Sequence, residues 1–139
     1  MNWHFVTYYA VLGLTAIVAH WRGSSCERIG AWVAVLGSVI STIFNHPSVW
    51  GNLATSVFII DLFVLVGFWS LALVSRSFWP YWATGWQLVG ILVHIQRGLF
   101  DDILEKPYAL LSMYIAYPIL GVILAASLFK DKGQPMPRT

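Results

Sequence analysis

Residues 78–97 read FWPYWATGWQLVGILVHIQR and combine a helix start, a run of aromatics and a polar stripe within twenty positions. Pro80 suits a first helical turn, because its fixed φ is already helical and the N–H it lacks would have no partner there. A helix is therefore expected from about Trp79. At 3.6 residues per turn, Ala83, Gln87, Gly90, His94 and Arg97 share one side, with Trp82, Trp86, Val89 and Val93 about a quarter-turn away. One face is small and polar. In hydrocarbon an unpaired amide or imidazole is expensive, so that face must look at protein or water and the helix needs neighbours.

Composition places the chain in a membrane. Of its 139 residues 58% are hydrophobic and 10% charged, too few charges to cover a water-soluble globule of this size. The net charge of +2 comes with no basic cluster, which argues against a nucleic-acid partner. A single cysteine, Cys26, excludes an internal disulfide and a cysteine-based metal or cluster site.

Working outward, five apolar runs at 3–21, 26–44, 53–73, 79–97 and 108–129 predict five transmembrane helices forming one all-α bundle over 1–129. The first, about 19 residues or ~28 Å of helix, is long enough to cross. No Lys or Arg precedes it and no small-residue cleavage site ends it, so it reads as a retained span. Ser24 and Glu27 fit a capping box opening the second helix. That helix carries Gly30, Ala34, Gly37 and Ser41 along one stripe, the composition of a helix-packing seam. His46-Pro47 breaks it. Residues 98–106, GLFDDILEK, have the pattern of a short interfacial helix. Pro118 and Gly121 predict a kink in the fifth span, and the Pro- and charge-rich residues 130–139 predict a disordered cytoplasmic tail.

Five spans put Arg22, Arg28, Arg76, Lys130, Lys132 and Arg138 on one side and only Arg97 and Lys106 on the other. By the positive-inside rule the N-terminus is outside and the C-terminus cytoplasmic, with Trp3, Trp21, Trp50 and Trp79 as headgroup anchors.

The pieces RGSSCERIGA (22–31), the aspartate Asp61 inside the third span, and WPYWATGWQL followed by His94 resemble a family of small multi-span membrane proteins of alphaproteobacteria. The resemblance covers most of the chain. It implies a multi-pass protein of the bacterial inner (cytoplasmic) membrane and nothing about chemistry.

The chemical candidates follow from the rarity of ionisable groups at bilayer depth. Asp61 lies ~12 Å along the third span, and on the antiparallel fourth span His94 is ~5 Å and Gln87 ~15 Å from the outer edge. A polar cluster of Asp61, Gln87, His94 and Arg97 is therefore expected, with an Asp61–His94 contact. The bland reading is a hydrogen-bonded pair that fixes helix register. His94, His46 and His4 all map toward the outer side and are candidate ligands for a haem, a chlorophyll-type pigment or a transition metal, without any spacing motif for a metal site. Trp69, Trp82 and Trp86 lie deeper than interfacial anchors and are candidates to face a partner or ligand. No zinc-helix motif, nucleophile elbow or phosphate loop supports an enzyme, and five spans without a repeat do not divide into inverted transporter halves. The reading that remains is an accessory or assembly subunit packing against other membrane proteins, within a larger inner-membrane complex such as a bioenergetic one, or against itself. The alternative is a redox or proton-coupled component holding a haem, pigment or quinone through the outer-side histidines and Asp61.

Overall fold

A computed structural model describes residues 3–44, 53–99 and 105–129. These form five α-helices and no strand: α1 Trp3–Arg22, α2 Ser25–Phe44, α3 Leu53–Val74, α4 Trp79–Leu99 and α5 Glu105–Leu128. Each helix coincides with one of the apolar runs to within a few residues. The capping chemistry explains two of the boundaries. Ser24 precedes α2, and its backbone N–H donates to Glu27 Oε2 at 2.7 Å. The Ser24 hydroxyl also bonds that carboxylate, so Glu27 takes both Ser24 donors. At α4, Pro80 occupies the first turn and Tyr81 N donates back to Phe78 O at 3.3 Å.

Each helix packs on its successor, and α5 returns to α1 and α2, closing the bundle. Side-chain register makes successive helices antiparallel. Tyr8 near the start of α1 bonds Ser38 near the end of α2 at 2.6 Å. On α3, Asp61 meets His94 while Phe68, two turns on, stacks edge-to-face on Trp79 at the start of α4. The starts of α1, α3 and α5 therefore share one end with the finishes of α2 and α4.

The core lies toward the opposite end, where Ala19, Ala31, Phe68, Trp79, Ala83, Ile119 and Ile123 come together from all five helices. The stripe on α2 faces this interior. A methyl added at Gly30 would sit 2.2 Å from the Trp79 ring, and one at Gly37 would sit 2.6 Å from Val64. Ala34 packs against the core cluster and Ser41 is half-buried. The seam thus joins α2 to α3 and to the start of α4 within the chain. Trp79 corrects an expectation: it is 6% exposed and belongs to the core, because Gly30 leaves room for its ring and Glu27 accepts its indole N–H. Trp3 and Trp21, at 76% and 84%, are exposed as headgroup anchors would be.

The outer surface is apolar. Phe63, Val66, Trp69 and Leu73 are exposed on α3 alone, a distribution that suits a hydrocarbon solvent and not water. Among the described residues, Ser25–Phe44 and Ser56–Val74 are long and apolar enough to cross a membrane. The expected interfacial helix, Trp50 and the expected tail fall largely or wholly outside the described residues. The fifth helix continues through Pro118.

Candidate functional site

The polar stripe of α4 faces inward. Ala83 is fully buried, Gln87 is 7% and His94 8% exposed, whereas Trp82 and Trp86 look outward. The side chain of Arg97 lies outside the described residues. Opposite this stripe, α3 presents Asp61. His94 Nε2 and Asp61 Oδ2 are 2.6 Å apart. Gln87, seven residues and so about two turns earlier on α4, donates its amide to the Asp61 backbone carbonyl at 3.3 Å. That carbonyl uses its second lone pair for a side chain of the next helix. Phe58, one turn before Asp61, packs edge-to-face with the His94 ring, centroids 6.1 Å apart.

The two ends of the pair differ in environment. The His94 side chain is 4% accessible and that of Asp61 25%. Asp61 borders a cavity of about 60 Å³ shared by α3, α4 and α5, whose other walls are Gln87, Gly90, His94, Ile115, Ala116 and Ile119. Gly90 helps to open it: a methyl there would come only into ordinary contact with Ile115, at 3.6 Å. Among the described residues, Asp61 Oδ1 and Gln87 Oε1 meet no donor.

Sequence reasoning missed two neighbouring polar groups. Tyr8 of α1 comes within electrostatic range of Asp61, hydrogen-bonds Ser38 and packs edge-to-face on Tyr117 of α5, 5.9 Å between centroids. Tyr9 bonds the Thr42 hydroxyl beside it. The signal was present in the Tyr8-Tyr9 pair and in the hydroxyl residues one turn apart on α2, but only packing shows that they meet. At the other end, Glu27 is 2% exposed and accepts the Trp79 indole N–H at 3.1 Å, joining α2 to α4. A glutamate that capping already explained gave no reason to look for a tertiary partner.

Two of the three outer-side histidines are among the described residues. His4 is exposed on the first turn of α1, His46 lies outside the described residues, and His94 Nε2 is engaged by Asp61. Among the described residues no three His, Cys, Asp or Glu converge as a metal site would require. The cavity at His94 has room for a few water molecules. Pockets that hold small organic ligands run to about 300–1,000 Å³, so this cavity does not fit a haem, a chlorophyll-type pigment or a quinone ring. What it can do chemically is hold water against a carboxylate, an amide and an imidazole. Comparison with family models, with curated proteins and with solved structures gives no match.

Proposed function

We propose that this chain is a five-span inner-membrane bundle, N-terminus outside and C-terminus cytoplasmic, acting as an accessory subunit that packs against another membrane protein. The spanning reading is supported by two helices that meet the length and apolarity needed to cross and by three more of similar length joined to them in antiparallel register. The orientation is supported by exposed Arg22, Arg28 and Arg76, which share the end where Glu27 meets Trp79.

The observation that carries the subunit role is the outward set of tryptophans. Trp69, Trp82 and Trp86 are 54%, 56% and 37% exposed, and none of their indole N–H groups donates to a described residue. Trp69 and Trp86 lie ~8–10 Å from the helix ends nearest them, below the reach of most headgroup acceptors. An indole at that depth gains from an acceptor on another protein, and lipid tails offer none. The partner is a membrane protein with carbonyl or hydroxyl acceptors at that depth. Purification from the membrane in mild detergent, followed by native mass measurement and a visible spectrum, tests this. A defined complex with a second membrane protein, weakened by Trp69→Phe with Trp86→Phe, is the expected result. A lone monomer whose behaviour the two substitutions leave unchanged would rule the role out, and a Soret or pigment band would favour the cofactor-holding alternative.

A further inference from the structure

A carboxylate oxygen and an amide oxygen that face a small cavity inside a bundle present an unmet demand for hydrogen-bond donors. Here both acceptors, Asp61 Oδ1 and Gln87 Oε1, belong to residues that line the same cavity as His94. The remaining walls are Gly90, Ile115, Ala116 and Ile119, which offer no side-chain donor of their own. The donor that fits the space and the chemistry is water, which at this size can be held as a small cluster with its hydrogens toward the two oxygens.

We propose that the cavity between α3, α4 and α5 is a hydrated proton-binding site, in which water bridges Asp61 and Gln87 and the Asp61–His94 pair takes up and releases one proton through it. In uptake, a hydronium supplied from bulk water gives its proton to the carboxylate–imidazole pair and is left as water. An O–H bond of the hydronium breaks, an O–H or N–H bond of the pair forms, and no electron moves; release is the reverse. The 2.6 Å contact makes the two side chains one proton-binding unit. Tyr8 reaches it from α1 and is flanked by Tyr117 of α5, while α2 contributes the Ser38 hydroxyl through its bond to Tyr8. On α4 the nearest further charge in sequence is Arg97, one turn beyond His94. Of these only the pair carries both an acid and a base in contact with the cavity. The site stands on α3, α4 and α5 of one chain, so it does not depend on the partner proposed above.

The test uses the full-length protein with ¹⁵N-labelled histidine in lipid nanodiscs, with His94 assigned by its loss in His94→Gln. Ring-nitrogen shifts are followed through a pH titration, and exchange cross-peaks to water are recorded at each pH. The expected result is a titrating His94 ring with a water cross-peak. Gly90→Ala, which adds a methyl to the cavity without a clash, should remove or strongly weaken the cross-peak while the bundle stays folded. Asp61→Asn should displace the His94 titration. A His94 ring that neither titrates nor exchanges with water across the accessible pH range would show a dry, permanently locked pair and overturn the proposal. So would a water cross-peak that survives in folded Gly90→Ala, since the water would then lie elsewhere.

Discussion

At the residue scale, Asp61 with His94 and Glu27 with Trp79 are interior hydrogen-bonded pairs, and the cost of breaking either is the cost of stranding the remaining partner. Asp61→Asn and His94→Leu should each lower stability in detergent or nanodiscs by about 1–3 kcal/mol. Because both variants remove the same contact, the double variant should lose less than the sum. Strict additivity in thermal or denaturant unfolding would show that the 2.6 Å contact contributes nothing. A parallel argument applies at the other end. Glu27→Ala strands the Ser24 N–H and the Trp79 indole together, and should cost more than Trp79→Phe, which keeps a smaller aromatic ring in the slot and gives up one hydrogen bond. The Asp61–His94 contact was legible in the sequence, since rise per residue alone sets two groups on adjacent antiparallel helices at compatible depth. The Glu27–Trp79 bond was not, because the two are 52 positions apart and each already had a local explanation in capping or anchoring.

At the scale of the helices, the glycines sort by what faces them. In a bilayer close approach is achieved by small residues, since lipid is as apolar as the side chains it would replace. Gly30→Ala drives a methyl into the Trp79 ring, and Gly37→Leu drives a branched side chain into Val64. Each should destabilise the bundle by about 1–3 kcal/mol through overpacking. Gly90→Ala meets Ile115 at ordinary contact distance and should lose less than either. Comparing the three melting temperatures checks this, and equal losses at all three positions would contradict the packing assigned to α2. The stripe of small residues was visible at helical spacing from the sequence. Its partner was not: whether it faces α3, another helix or another protein is decided by which side of α2 the rest of the chain closes on.

For the whole molecule, the proposed topology has a direct measurement. In a Cys26→Ser background, a cysteine at Ser25, which is exposed at the start of α2, should react with a membrane-impermeant thiol reagent only after the cells are opened. A cysteine at Gly98 should react in intact cells. Labelling of both in intact cells, or the reverse pattern, would contradict five spans with the N-terminus outside. Composition and helical periodicity were sufficient to determine an all-helical chain of five segments, the inward polar stripe of α4 and the place of Asp61 opposite it, because a helix satisfies its own backbone and the rare polar side chains of so apolar a chain pair in its interior. Only the tertiary structure decided that Trp79 is core and not anchor, that Tyr8 and Ser38 close on the Asp61 side, and that a cavity remains beside Gly90. Those depend on how far helix backbones approach and on the rotation of each about its axis, quantities set by the fit of side chains from several segments at once and carried by none of them alone.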